Sequence, residues 1–265
     1  MRPLLLFLLC AHITALSAQT YTTLTDLSNR PAATDTYAQE RCRLDLYYPT
    51  RDTGFATIVY FHGGGLRSGE KHFPAAWREQ GIAVVAANYR LHPRVANPTY
   101  TEDAAAAVAW TLRHIAEYGG DPRRVFVGGH SAGGYLTSMV GLDTTYLGAY
   151  GLHPDSLAGL LPFSGHTITH FTPREAQGLA WHDVRVDRYA PIAHLRPTAP
   201  PIWLITGDRE LELWGRYEEN AYCWRMLRLA GHPRAYLHEL DGFDHGSMVG
   251  PATLLALRIV REEGK

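Results

Sequence analysis

Short apolar runs alternate with longer stretches of helical period along most of the chain. Arg43-Leu44-Asp45-Leu46-Tyr47-Tyr48 alternates with period two and predicts an early strand, read as antiparallel, that Pro49 ends. Thr57 to Phe61, Ile82 to Tyr89, Arg124 to Val127, Leu157 to Phe163, Pro201 to Thr206 and Ala235 to Leu240 read as further strands. Between them lie helical patterns: Ala-rich Thr101 to Tyr118, closed by Gly119-Gly120-Asp121-Pro122, then Tyr135 to Leu142, Gly215 to Ala230 and Ser247 to Arg261. Strands that alternate with helices predict an α/β fold, a mostly parallel sheet with helices on both faces. Residues 19 to 40 read as irregular. The alternation lapses between Ser164 and Pro200, which reads either as a lid and acyl-pocket wall above the sheet or as a plain connection with core aromatics.

Candidate chemistry sits at two strand ends. Gly129-His130-Ser131-Ala132-Gly133 follows one strand and opens a helix, the context of a nucleophile elbow, in which a tight turn pushes the serine oxygen outward and glycines relieve the crowding. Some seventy residues upstream, another strand runs into His62-Gly63-Gly64-Gly65, where acyl transfer needs an oxyanion loop of unobstructed N–H groups. The expected donors are Gly64, Gly65 and Ala132. A phosphate-cradling loop is disfavoured, since no lysine follows in the required register. The base expected downstream is His245, in Gly242-Phe243-Asp244-His245-Gly246, one of 14 histidines. His62 and His130 occupy motif positions that shape loops. For the acid, the strand ending at Gly207 leads into Asp208-Arg209-Glu210-Leu211-Glu212, with three carboxylates in five residues. Aspartate is the commoner triad acid, which favours Asp208, and Glu212 is a third possibility.

Composition adds constraints. With 265 residues and 46% hydrophobic content the chain buries a large core, and residues 19 to 265 read as one catalytic domain. A net charge of −1 and the absence of charge runs give no sign of nucleic acid as a partner. Met1-Arg2, the apolar run Pro3 to Leu16 and Ser17-Ala18 read as a secretory signal peptide over residues 1 to 18, which places the mature protein outside the cytoplasm, periplasmic or secreted. The apolar run is too short for an ordinary membrane span. Leu8 and Leu9 before Cys10 argue against lipid attachment. Export leaves Cys42 on a predicted strand and Cys223 on a predicted helix, either paired or, more commonly for such residues, buried apart. No histidine spacing fits a metal motif such as H-E-x-x-H, so no metal or organic cofactor is expected.

Val59-Tyr60-Phe61-His62-Gly63-Gly64-Gly65 with Ser68-Gly69, Asn88-Tyr89-Arg90-Leu91, Gly119-Gly120-Asp121-Pro122-Arg123-Arg124-Val125 and Gly129-His130-Ser131-Ala132-Gly133-Gly134 together resemble the α/β-hydrolase superfamily. The likeness is to its carboxylesterase branch, hormone-sensitive-lipase-like enzymes and bacterial feruloyl and acetylxylan esterases, and covers about Arg41 onward. The resemblance implies the α/β-hydrolase fold and a serine carboxylesterase working through an acyl-enzyme. It also favours Glu210 as acid, three residues after Gly207, although the family usually has aspartate there. Leu66 stands where these esterases often carry an aromatic, which bears on the acyl pocket. The implied partner is a small-molecule or carbohydrate ester, for an exported enzyme acetyl or feruloyl groups on polysaccharides. An amidase or arylformamidase uses the same triad and glycine loop, and a binding module that has lost catalysis is the remaining alternative.

Overall fold

A computed structural model describes residues 20–30 and 32–263. The leader read in residues 1 to 18, Cys10 included, lies outside the described residues. Eight strands form one sheet in the order β1-β2-β4-β3-β5-β6-β7-β8. They are β1 (Tyr21–Ser28), β2 (Arg43–Pro49), β3 (Phe55–Phe61), β4 (Ala83–Ala87), β5 (Gly120–His130), β6 (Gly159–Phe163), β7 (Ile202–Gly207) and β8 (Ala235–Leu240). β1 and β2, and β2 and β4, pair antiparallel, and every other pairing is parallel. The helices are α1 (Thr36–Arg41), α2 (Thr99–His114), α3 (Ala132–Leu142), α4 (Thr144–Gly148), α5 (Phe171–Ala176), α6 (Arg216–Leu229) and α7 (Val249–Glu263).

The strand period of two sorts the core into two layers. On one face Val59, Val85 and Val127, adjacent in register, pack with Ala104 and Val108 of α2, Tyr135 and Met139 of α3 and Leu227 of α6. On the other, Ile58, Tyr60, Val84 and Phe126 pack with Trp77 and with Ala252, Ala256 and Val260 of α7. β3 is buried along its whole length, as a central parallel strand should be. The alanines of α2 let that helix approach the sheet, and Gly119, at φ 91°, closes its 3₁₀ extension Ile115–Tyr118 in the left-handed conformation glycine tolerates.

The described residues between 20 and 40 are more regular than their pattern suggests. β1 is an edge strand with one face toward solvent, and its register breaks between Leu24 and Leu27, where Asp26 takes φ 55°. That irregularity spoils the period-two signal. α1 is a single capped turn and a half, the Asp35 carboxylate accepting from the Tyr37 N–H at 3.0 Å. Cys42 caps α1, just before β2, and Cys223 lies on α6. Both thiols are buried and free. No helix of the described residues is long and apolar enough to cross a membrane. The excursion after β6 holds α5 and a 3₁₀ turn, Pro191–His194, and buries His166, Thr169, His170, Thr172 and Arg174.

Candidate active site

β5 ends at His130 and α3 begins at Ala132, leaving Ser131 alone at the corner with φ 56° and ψ −113°. A non-glycine residue in that region is strained, so the surroundings must hold it there. The Ser131 N–H donates to the Phe163 carbonyl at 2.8 Å. The crossing is too close for side chains: a Cβ on Gly133 would lie 2.0 Å from the Phe61 carbonyl oxygen. The loop after β3 reaches the same corner, since a Cβ on Gly63 would stand 3.4 Å from Ser131 Cβ. Gly64 and Gly65 then turn with φ +104° and +62°. The Gly64 carbonyl accepts from the Arg67 and Ser68 N–H groups at 3.0 Å each, and the Gly65 carbonyl accepts from the Thr172 hydroxyl at 2.5 Å. Ala132 opens α3, where the first N–H groups have no intrahelical acceptor and the helix dipole favours negative charge. The three expected oxyanion donors, Gly64, Gly65 and Ala132, therefore sit on two segments that meet at Ser131.

His245 follows β8 in a turn, and its Nδ1 lies 2.6 Å from Glu212 Oε1. A carboxylate only accepts, so Nδ1 carries the proton and Nε2 is left as the basic nitrogen. The Glu212 side chain is 1% exposed and that of His245 18%. Burial pushes the Glu212 carboxyl up, but hydrogen bonds from His245 and from the Ser164 hydroxyl outweigh it and hold the group at about 2. Ser164 Oγ also lies 2.9 Å from Nδ1. Ser164 is fully buried at the end of β6, with φ 45°. His130, directly before the serine, donates from Nε2 to the His245 carbonyl at 2.8 Å, and the two rings stand 4.6 Å apart. Burial, then the neighbouring His245, pulls His130 down to about 4, which keeps it neutral.

The carboxylate on the histidine is thus neither Glu210 nor Asp208. Asp208 Oδ1 accepts from the Glu210 N–H at 2.9 Å and its Oδ2 from the Gly242 N–H at 2.8 Å, so it caps its own turn. Glu210 is exposed. The turn also carries Glu212 N–H to the Asp208 carbonyl at 2.8 Å, which swings the Glu212 side chain back beneath Gly207, whose N–H donates to Oε2 at 3.1 Å. Glutamate's extra methylene spans that return. Ser164 was not singled out from the sequence, and its only signal there is its place at the end of a strand neighbouring the elbow strand.

His62 shapes its loop, with Nδ1 2.7 Å from the Gly63 carbonyl and the ring stacked on Tyr89 at 4.4 Å. Burial lowers it to about 4. Leu66 is fully buried in the same core cluster as Phe61, Tyr89 and Tyr100.

Known proteins agree with this architecture. The BD-FAE family matches residues 44–150, from β2 past α4. A probable isoprenylcysteine alpha-carbonyl methylesterase, ICMEL1 of Oryza sativa subsp. japonica, is 39% identical over 105 residues, 38% of this chain and 25% of that one. A probable carboxylic ester hydrolase, LipM of Mycobacterium tuberculosis, is 29% identical over 188 residues, 60% of this chain and 42% of its own. The chain therefore spans well under half the length of these curated relatives. A truncated carbohydrate esterase from gut microbiota superposes with a TM-score of 0.75 at 18% identity, covering 94% of this chain and 98% of that one, which is a likeness of fold. Topology and this likeness show the α/β-hydrolase fold. Over residues 44–150 the chain is similar to the BD-FAE family, and the relatives it matches over part of their length are carboxylic ester hydrolases.

Proposed function

We propose that the protein hydrolyses carboxylic esters through an acyl-enzyme, with Ser131 as nucleophile, His245 as base and Glu212 as acid. The observation that carries this reading is the buried 2.6 Å contact of Glu212 with His245 Nδ1, on a loop fastened by the residue preceding Ser131. His245 Nε2 takes the Ser131 proton as the oxygen attacks the ester carbonyl. The N–H groups of Gly64, Gly65 and Ala132 hold the oxyanion, each worth about 3 kcal/mol in the transition state. His245 then returns the proton to the leaving alcohol, and water repeats the sequence on the acyl-enzyme. Glu212 steadies the imidazolium in both halves. The leader supports an enzyme that works outside the cytoplasm, on acetyl or feruloyl esters of polysaccharides, and the exposed rings of Trp181 and Trp214 beside the site suit a sugar or cinnamoyl ring.

The test is reaction with a fluorophosphonate probe, followed by hydrolysis of p-nitrophenyl acetate, butyrate and octanoate, methyl ferulate, acetylated xylan fragments and N-formylkynurenine, with Ser131→Ala as control. Labelling and ester turnover that vanish in the variant are expected. Turnover of the formyl amide alone moves the assignment to an amidase, and no labelling at all would overturn serine catalysis.

A further inference from the structure

Beside the proposed catalytic site, between the excursion after β6 and the start of α6, lies a cavity of about 780 Å³. Its mouth is aromatic. Trp181 and Trp214 meet at 4.3 Å between centroids and remain 47% and 68% exposed. Phe171 forms a wall and abuts the oxyanion loop, since a Cβ on Gly65 would lie 3.0 Å from its ring.

Two guanidinium groups line the same cavity, and both are withdrawn from solvent: Arg174 is 3% exposed and Arg216 2%. Arg174 Nη1 donates to the Asp183 carbonyl and Arg216 Nη1 to the Ser164 carbonyl. Nε of each has no hydrogen-bond partner. Among the described residues no carboxylate stands within 4.0 Å of either group. This sets them apart from the other withdrawn arginines, because Arg41 pairs with Glu70 and Arg90 with Asp103. The carboxylates that share the cavity act on the two arginines only at longer range and are engaged or turned elsewhere. Glu219 accepts from His166 Nδ1 at 2.9 Å and the Thr167 N–H at 3.1 Å, Glu175 pairs with Arg67, and Glu218 is exposed on the first turn of α6. Burial pulls both guanidiniums down from their ordinary range, and the nearby charges of Glu219, of Glu212 for Arg216 and of Asp183 and Glu175 for Arg174 offset this only in part. A buried cation without a carboxylate in direct contact is costly, and the planar fork of arginine matches one.

We propose that this cavity is a subsite for an ester substrate that carries both a ring and a free carboxylate, the ring lying among Trp181, Trp214 and Phe171 and the carboxylate meeting Arg174 and Arg216. The inference rests on the esterase reading above for the word substrate, but the binding claim is separable from it. The required chemistry is shared by an aryl carboxylate and a uronic acid. Either is bound by stacking and by charge-assisted hydrogen bonds.

Binding is therefore measured on Ser131→Ala, by quenching of tryptophan fluorescence, so that turnover plays no part. Two matched pairs are used: 4-acetamidobenzoate against 4-acetamidobenzamide, and methyl glucuronoside against methyl glucoside. At least one acid is expected to bind roughly 10- to 100-fold tighter than its neutral partner, the range for a charge-assisted hydrogen bond. Adding Arg174→Gln should collapse that ratio to within about threefold, and Arg174→Lys should restore part of it. Which pair shows the ratio identifies the source of the carboxylate. Equal binding within both pairs, no binding of any probe, or a ratio that survives Arg174→Gln would overturn the subsite. Where Arg174→Gln fails to fold, as judged by circular dichroism, the acid-to-neutral ratio in Ser131→Ala alone decides. Fluorophosphonate labelling of the unmodified protein separates the two claims: a labelled protein without acid preference loses only the subsite, and an unlabelled one with it loses only the esterase.

Discussion

Glu212→Gln is the sharpest perturbation of the proposed site, because the structure says what each end of the new amide would meet. Oε1 receives His245 Nδ1 at 2.6 Å and the Leu213 N–H at 2.8 Å, while Oε2 receives the Gly207 N–H at 3.1 Å. Every one of these neighbours donates, so the glutamine NH₂ faces a donor in either orientation. Counting only these N–H groups, since the Ser164 hydroxyl that also reaches the carboxylate can rotate to accept, the NH₂ turned toward Gly207 creates one conflict and turned toward His245 creates two. The first orientation keeps an oxygen on the Nδ1 proton and so preserves the tautomer; what is lost is the charge that steadies the imidazolium. The difference between a charged and a neutral acceptor, about 1–3 kcal/mol, translates to roughly a 10- to 100-fold fall in kcat. The other orientation inverts the tautomer, and the fall then approaches about 10⁴-fold, as in serine protease triads. Stranding the Gly207 N–H costs about 1–3 kcal/mol of stability in addition. Initial rates on p-nitrophenyl acetate, with KM little changed, read the effect, and Glu210→Gln measured alongside should stay within about threefold of the unmodified protein. The reasoning is refuted if Glu210→Gln loses as much as Glu212→Gln, or if Glu212→Gln keeps full kcat.

Ser164→Ala removes the hydroxyl shared by Glu212 and His245 Nδ1, and should lower kcat by roughly 3- to 10-fold, about 1 kcal/mol. A change in the acid limb of the kcat/KM profile would mark a positioning role, and a lowered melting temperature with an unmoved profile would mark a purely structural one. Glu212 also links stability to pH: its carboxyl falls from an ordinary 4.5 to about 2 on folding, so its contribution is complete above 4.5 and lost as pH falls toward 2. Melting temperatures followed below pH 5 should therefore drop more steeply for the unmodified protein than for Glu212→Gln, and parallel curves would contradict the assignment.

Much of this was legible in the chain because one physical cause wrote it twice. The close crossing at Ser131 demands glycine at 129 and 133, and the strand before and helix after carry their own periods, so motif and context point to the same corner. Chain order singles out His245, and the structure sets it against the buried carboxylate of Glu212. The sequence does not favour Glu212 over Glu210, because the approach of Glu212 to His245 depends on a turn that Asp208 caps and on the reach of one methylene, neither of which is a periodic signal. β1 was missed for a similar reason, its Leu24–Leu27 irregularity hiding a half-buried edge strand. Ser164 and the two arginines were illegible because they meet only after the excursion between β6 and β7 has folded back on α6.

That fold-back joins the cavity to the proposed triad through one residue. Ser164 gives its hydroxyl to Glu212 and lies 2.9 Å from His245 Nδ1, while its carbonyl takes Arg216. Arg216 thus stands one residue away from the atoms that must bear a new positive charge when His245 takes the serine proton. A carboxylate seated on Arg216 offsets that cation, so the imidazolium forms in a less positive field, and the low dielectric of a buried site keeps the effect from being screened. Substrate charge should then appear in kcat as well as in KM. The comparison is 4-acetoxybenzoate against its methyl ester, each rate normalised to its hydroxide-catalysed hydrolysis to remove intrinsic reactivity. A higher normalised kcat for the acid, lost in Arg174→Gln together with the KM advantage, is the expected pattern. A KM advantage with identical kcat would mean that the carboxylate is held too far from Arg216 for its charge to reach the base.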